Sequence, residues 1–282
     1  MPDETEPLLE LNGVNLKFGN TWALRNVTLK LNAGETRIIF GSAGSGKTML
    51  LKAVIGLIPI DSGDIKLFGQ DVASLQEQEL YAVRSRAGFL FQEGGLFDSL
   101  SIGENVEYPL LNRQVTDHKK DGAPSAEEVD KRVRDALRFV ELEQTYDKFP
   151  SEVSGGMRRR VGIARAVVTE PPLVLYDSPT AGLDPITANI IMALIAKERA
   201  VRNSASLIVT HRYQDGELMA NFQYDAKDEE LIPAGGASQK DSSDTRTKFI
   251  VMKEGQIVFF GTRQELESSD DQYVKRFIRH EG

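Results

Sequence analysis

Lys47 and Thr48 close the stretch "GSAGSGKT" (41–48), which has the spacing G-x-x-x-x-G-K-[ST]. Glycines so spaced turn backbone N–H groups inward around phosphate oxygens; the lysine reaches the outer phosphates, and the hydroxyl suits Mg²⁺. Gly41, Gly44 and Gly46 supply the turns, while Ser42, Ser45 and Met49 belong to the same loop and the helix start it feeds. The apolar run "TRIIF" (36–40) reads as a buried strand before the loop, and "KTMLLKAVIGLI" (47–58) as a helix after it. A helix N-terminus adds its positive dipole end to such a loop. A glycine-rich turn with a solvated lysine is the plainer reading, and the strand–loop–helix context argues against it. A nucleoside triphosphate with Mg²⁺ is the expected ligand.

A second constellation lies in "LVLYDSPTAGLD" (173–184). Asp177 ends an apolar run, which suits the second metal-holding position of phosphate-loop NTPases, beside Thr48. The next residue, Ser178, is a hydroxyl where a carboxylate would make sense for activating a water. A serine hydroxyl is no base at neutral pH, yet it can hydrogen-bond a water.

The elements that must position these residues follow from patterning. "LLELNGVNLKF" (8–18) and "VTLKL" (27–31) alternate apolar and polar residues, as half-buried strands do. "IKLFG" (65–69) and "AGFLF" (87–91) read as further strands. "LVLYD" (173–177) and "SLIVT" (206–210) are continuous apolar runs, the pattern of parallel strands buried on both faces. Between them 185–201 reads as a helix with Pro185 in its first turn. The middle, 100–168, is expected to be helical, with helices at 126–140 and 156–168 and a polar linker at 118–125. Residues 222–247 are polar and weakly periodic, and are expected to form a long exposed loop. "KFIVM" (248–252) and "QIVFFG" (256–261) are expected to pair as a hairpin across Glu254-Gly255.

Composition bounds the function. The 282 residues suffice for one large domain or two small ones, and 40% apolar with 27% charged residues is ordinary for a globular chain. A net charge of −8 argues against non-specific nucleic-acid binding, which rests on phosphate neutralisation. With no cysteine, disulfides and thiolate metal sites are excluded. The acidic start "MPDETEPLLE" does not read as a secretory signal. The longest apolar stretch, "AVIGLIPI" (53–60), is too short to span a membrane, so work at a membrane would run through a partner.

"SEVSGGMRRRVGIARAVV" (151–168) resembles the signature motif of ABC-type ATPases, with Ser154, Gly155 and Gly156 in the serine–glycine–glycine positions. A serine cap followed by two glycines also makes physical sense as an anion site at a helix start. The resemblance covers about 8–262 and implies a phosphate-loop (RecA-like) α/β core over 8–92 and 169–262, with an N-terminal antiparallel β subdomain. It further implies a helical insertion over 93–168 and a short helical tail over 263–282. In this family the signature motif grips the γ-phosphate bound to the other subunit, so a head-to-tail homodimer is implied. Phe18 matches the aromatic that stacks on adenine; core packing is its plainer reading. Gln92 matches the glutamine that contacts Mg²⁺ and water, Asp184 in "AGLDP" the residue facing the partner subunit, and His211 the switch histidine. His118, His280 and Trp22 take plain surface readings. Two departures stand out: Met157 where the family often has glutamine, and Ser178 where it has its catalytic glutamate.

A finer likeness lies in "FLFQEGGLFDSLSIGENVEYPL" (89–110), "SGGMRRR" and "DQYVKRFI". These resemble the ATPase subunit of Mla/Mce-type lipid transporters. That implies integral membrane permease partners, an Mce-type substrate-binding protein, phospholipid movement across the envelope, and a cytoplasmic position on the inner membrane face. The residues themselves show an apolar loop, with Leu96, Phe97 and Leu100, able to receive a partner's helix or simply to pack inside the helical subdomain. Arg158, Arg159 and Arg160 read first as a solvated helix face. Three readings stay open for Ser178: a slow but genuine ATPase, which is preferred; a binding clamp or regulatory subunit; or an engineered change that traps the ATP-bound dimer. Other classes also stay open: a non-transport ABC ATPase, or a transporter of amino acids or metals.

Overall fold

The computed structural model describes residues 6–92, 94–113, 125–225, 230–234 and 245–278. Three strands, β3 (Thr36–Gly41), β7 (Leu173–Asp177) and β8 (Ala205–Val209), are buried at every residue. They lie in a six-stranded sheet of order β12-β11-β3-β8-β7-β6, parallel except for the antiparallel edge β12. Here β6 is Ala87–Leu90, β11 Thr247–Lys253 and β12 Gln256–Gly261. Burial on both faces explains why β3, β7 and β8 are written as unbroken apolar runs. The pleat sends alternate residues to opposite sides. Val174, Tyr176, Ile208 and Phe40 join one apolar core, and Leu173, Leu175, Leu207 and Ile39 join the other.

The second core is closed by helix α1 (Lys47–Val54) and an antiparallel sheet of order β2-β1-β4-β5. Its strands are β1 (Leu9–Phe18), β2 (Thr21–Leu31), β4 (Ser62–Leu67) and β5 (Gln70–Asp71). Helix α1 stops at Val54, short of the expected Ile58; Gly56 follows in a left-handed conformation (φ 64°). The first core is closed by helices. Within 93–168 these are α3 (Ile102–Arg113), α4 (Ala126–Phe139) and α5 (Gly155–Val167), following α2 (Glu77–Arg84). In α4, Val129, Val133, Ala136 and Leu137 form one buried stripe, and Ser125 caps its start by accepting the Glu128 N–H at 3.2 Å. Helices α6 (Pro185–Arg202) and α7 (Tyr213–Asn221) complete that side; α8 (Arg263–Glu267) and α9 (Gln272–Lys275) form the tail.

The stretch 222–247 is not one long loop. Strands β9 (Phe222–Asp225) and β10 (Glu230–Pro233) pair antiparallel, and Thr247 already belongs to β11. Leu231 packs on the helical-side core. The apolar positions are few, so the alternation is lost when polarity is averaged over 26 residues. Residues 226–229 and 235–244 of that stretch, the linker 118–124, and His118 and His280 lie outside the described residues. No helix among the described residues is long and apolar enough to cross a membrane.

Candidate functional site

The carboxyl ends of three parallel strands converge, the position where open α/β sheets bind ligands. Strand β3 delivers the loop 41–48, β7 delivers Asp177 and Ser178, and β8 delivers Thr210 and His211. Gly46 caps α1 with φ 102°, and a Cβ there would run into the Ala23 carbonyl oxygen. Only glycine fits that turn against β2. Lys47 is buried, and its ammonium donates to the Gly41 carbonyl (2.7 Å), the Ser42 carbonyl (2.9 Å) and the Ser45 hydroxyl (3.3 Å). Burial pulls its pKa down to about 8, against the opposing pull of Asp177.

The Thr48 hydroxyl donates to Asp177 Oδ1 at 3.3 Å, and the Ser178 hydroxyl to the same oxygen at 3.4 Å. Thr48 and Asp177 together present hard oxygen donors, the set Mg²⁺ prefers. No cluster of three histidine, cysteine or acidic ligands exists among the described residues. One carboxylate and one hydroxyl side by side fit an Mg²⁺ ion that takes its remaining oxygens from water or a bound phosphate. Ser178 is buried and adopts φ 53°, rare for a residue with a side chain. Its N–H donates to the Val209 carbonyl at 2.9 Å, which ties this strained residue to β8. Desolvation and the positive charge of Lys47 hold His211 below the usual imidazole range, against Asp177.

A cavity of about 490 Å³ gathers Lys47, Thr48, Ser178 and His211, while Asp177 does not line it and is bonded to the lining residues Thr48 and Ser178. Gly44, Ser45, Gly46, Lys47, Thr48 and Met49 form one wall, Gln92, Ser178 and His211 another, and Phe18 stands at the rim, 54% exposed. Trp22 is exposed, as its plain surface reading has it, and also lines the same cavity. Trp22 pairs with Lys17 across the β1–β2 turn, and the Lys17 ammonium lies 5.2 Å from its ring centroid. A single tryptophan in a strand gives no sequence signal of a ligand wall. Gly41 and Ser42 do not line the cavity.

Ser154, Gly155, Gly156 and Asp184 do not line it. Ser154 caps α5, accepting the Met157 N–H at 3.2 Å, and nothing lies within 4 Å of a Cβ added at Gly155. Asp184 caps α6, accepting the Ile186 and Thr187 N–H groups at 3.0 Å and the Thr187 hydroxyl at 2.6 Å. The Thr187 hydroxyl and N–H, followed by the Ile186 N–H, lower its pKa. Gly156 faces the Thr187 methyl, so the two helix starts sit side by side on one exposed surface.

The sequence reading missed Asp215. It is buried in α7, and its Oδ2 accepts the Thr180 and Thr210 hydroxyls, both at 2.5 Å. These bonds join the segment after Ser178 to the one before His211. Burial pushes the carboxyl pKa up, against both hydroxyls and Arg212. Nothing in the sequence separates Asp215 from other acidic residues. Asp215→Ala strands two buried hydroxyls and is expected to cost about 2–4 kcal/mol in urea unfolding of the nucleotide-free chain. A loss below about 0.5 kcal/mol, the size of an ordinary surface change, would show that the two segments hold without it.

Of the arginine triplet only Arg158 is exposed as a solvated face would be; the other two are drawn inward. Arg159 is buried and donates to the Ala181 carbonyl (3.1 Å), and Arg160 to the Val140 carbonyl (3.1 Å). Buried Arg165 ties α5 to the loop after Gln92 through the Gly94 and Gly95 carbonyls, each at 2.8 Å. In that loop Leu96 packs on the core, while Phe97 stays 42% exposed with its ring 4.8 Å from Tyr108. Phe97, Tyr108, Phe91, Phe89 and Tyr81 line a mostly apolar groove of about 610 Å³ between α2, β6 and α3.

The ABC transporter family model matches residues 24–181. The chain is 33% identical over 270 residues to the probable ribonucleotide transport ATP-binding protein mkl of Mycobacterium tuberculosis, covering 96% of this chain and 66% of that one. It thus spans just under two thirds of the length of that relative. It is 34% identical over 232 residues to the intermembrane phospholipid transport system ATP-binding protein MlaF of Haemophilus influenzae (82% of this chain, 85% of that one). It is 37% identical over 210 residues to the methionine import ATP-binding protein MetN of Brucella abortus (74% and 54%). Among solved structures, an ATP-binding cassette in a dimeric post-hydrolysis state with ADP and Pi superposes with a TM-score of 0.72 at 30% identity, covering 90% of this chain and 98% of that one.

Proposed function

The chain belongs to the ABC transporter family, and from that membership we propose that it is the ATP-binding, ATP-hydrolysing subunit of a membrane transporter that moves phospholipid across the cell envelope. The observation that carries the nucleotide part is the single cavity joining Lys47, Thr48, Gln92, Ser178 and His211 beneath the Phe18 and Trp22 rim. The phosphate loop, from Gly41 to Met49, takes the phosphates, and the aromatic rim takes the base. Thr48 and Asp177, with Gln92, hold Mg²⁺. Bound Mg²⁺ supplies charge neutralisation for the phosphoryl group. Ser178 and His211 hold the attacking water by hydrogen bonds.

Two copies act head to tail. Ser154, Gly155, Gly156 and Asp184 lie outside their own chain's cavity on an exposed surface, which suits groups that complete the site of a second copy. The chain sits at the cytoplasmic face of the membrane, held there by integral permease subunits, with an Mce-type substrate-binding protein in the same assembly. Nucleic acid is no partner, given the net charge of −8.

The groove lined by Phe97 and Tyr108 receives a short apolar helix from the permease. Phe97→Glu places a charge in that groove. It is expected to cut co-purification with the permease at least about tenfold, while basal ATP hydrolysis by the isolated chain stays within twofold. Unchanged co-purification would remove the groove from the interface.

Lipid as substrate rests on the likeness to the phospholipid-transport relative and on the 89–110 stretch. Its test is transfer of a fluorescent phospholipid between vesicles by the chain reconstituted with its permease. ATP-dependent transfer supports the reading. ATP-dependent movement of methionine without lipid transfer overturns it.

A further inference from the structure

The C-terminal tail reaches the phosphate loop from behind. Tyr273 in α9 is 231 residues from Ser42, yet its phenol oxygen accepts the Ser42 N–H at 3.2 Å and lies 3.1 Å from the Ser42 hydroxyl. The phenol O–H donates to the Met252 carbonyl of β11 at 3.0 Å. That donation spends the phenol hydrogen on the sheet and leaves the oxygen lone pairs to the loop. The Ser42 N–H and the Gly41 C=O belong to one planar peptide unit. The Gly41 carbonyl is also the closest acceptor of the Lys47 ammonium, at 2.7 Å. Tyr273 and Lys47 therefore hold opposite edges of one rigid plane.

Tyr273 is itself fixed. Its ring meets Phe277 edge-on, with centroids 5.2 Å apart, and Phe277 stacks on Phe40, the residue before Gly41, at 6.2 Å. The Lys253 ammonium lies 5.2 Å from the Tyr273 ring centroid. The β11–β12 turn adds a second tie, as the Gly255 N–H donates to the Ser45 carbonyl at 3.1 Å.

We propose that Tyr273 is a positioning residue that braces the Gly41–Ser42 peptide, so that Lys47 stands preset for phosphate and nucleotide affinity depends on the C-terminal tail. Tyr273 does not line the cavity and acts only through Ser42 and Lys47. A flexible ammonium that is already ordered loses less freedom when a ligand arrives, so the brace strengthens binding more than it speeds chemistry. The inference rests on the nucleotide-binding reading of the cavity.

Titration of the intact chain with Mg·ADP and with a non-hydrolysable ATP analogue tests it, using the native protein, Tyr273→Phe, Ser42→Ala, their double variant and Lys47→Ala. Tyr273→Phe keeps the ring packing and removes only the hydroxyl. It is expected to weaken both ligands about three- to tenfold and to raise KM for ATP in parallel. The value of kcat at saturating ATP is expected to stay as in the native protein, and the melting temperature of the nucleotide-free chain to fall by no more than about 4 °C, the share of the lost hydrogen bonds alone. The double variant is expected to lose less than the product of the two single losses, because both singles remove one shared contact. Equal affinity in native protein and Tyr273→Phe overturns the brace alone. A variant that melts earlier and loses kcat with KM unchanged also overturns it, since packing then explains the effect. A native chain that binds no better than Lys47→Ala overturns the nucleotide reading, and the brace with it.

Discussion

Ser178→Glu is expected to raise steady-state ATP hydrolysis about 10²- to 10⁴-fold over the native chain, the usual contribution of a placed acid–base group. The chain's own wall of the site otherwise carries the groups proposed for nucleotide and metal. Ser178 follows β7, lines the cavity and keeps its backbone fixed through the Val209 carbonyl. A glutamate there keeps the same backbone anchor and reaches further into the cavity. It would stand beside Asp177, and a neighbouring carboxylate raises a carboxyl pKa toward neutrality, where a general base works best. The native hydroxyl can only orient a water. Orientation still counts for much in phosphoryl transfer, whose loose transition state is served mainly by positioning and charge. His211, held below the usual imidazole range, is neutral at pH 7 and can accept a hydrogen bond from the same water. Native turnover is therefore expected to be slow but above that of Lys47→Ala. Phosphate-release assays on the three chains decide it. A glutamate variant no faster than native would show that the serine site is already complete. Native turnover equal to Lys47→Ala, with only the glutamate variant active, would make this chain an ATP-binding clamp.

The parts of this site that were legible in the sequence are those where one residue type has few structural uses. Glycines followed by lysine and threonine, after a wholly apolar strand, have one common explanation, and β3, the loop and α1 stand as the pattern implies. Asp177 and His211 were candidates for a related reason: Asp177 ends one continuous apolar run and His211 stands two residues beyond another, and parallel strands end at the ligand side of a sheet. Trp22, Asp215 and Tyr273 were not. Each is an ordinary residue in an amphipathic element, and its role comes from a tertiary approach: Tyr273 meets Ser42 across 231 positions, and no periodicity encodes that. The β9–β10 hairpin was hidden because its strands are four residues each and bury little. Helix α3 was not among the helices expected within 100–168, and Pro109, a residue that removes a helix donor, lies inside it.

Lys47→Ala is expected to abolish measurable nucleotide binding, with affinity falling at least about 10²-fold on loss of a buried charge-assisted contact. The magnitude follows from how the ammonium is held. All three of its protons are engaged by the loop, and the buried setting makes its charge strong toward an anion that enters the same wall. Alanine removes that charge and the cross-link between the Gly41 and Ser42 carbonyls at once. The same burial makes binding pH-dependent with a definite sign. The free ammonium titrates near 8, well below an ordinary lysine, so it is charged at pH 7 and mostly neutral by pH 9.5. Phosphate binds the charged form. Affinity for Mg·ADP is therefore expected to be flat from pH 6.5 to 7.5 and to weaken toward about tenfold per unit above pH 8, as each binding event must first restore a proton. Calorimetric titration in buffers of different ionisation enthalpy reads that proton directly, with net uptake on binding above pH 8 and little near pH 7. Lys47→Arg, whose guanidinium stays charged throughout, is expected to flatten the profile while binding more weakly than native at pH 7, because its planar fork does not fit the three acceptors that the ammonium satisfies. A native profile that stays flat to pH 9.5 would mean that Lys47 keeps its proton, and that the loop carbonyls at 2.7 and 2.9 Å stabilise the ammonium more than burial destabilises it.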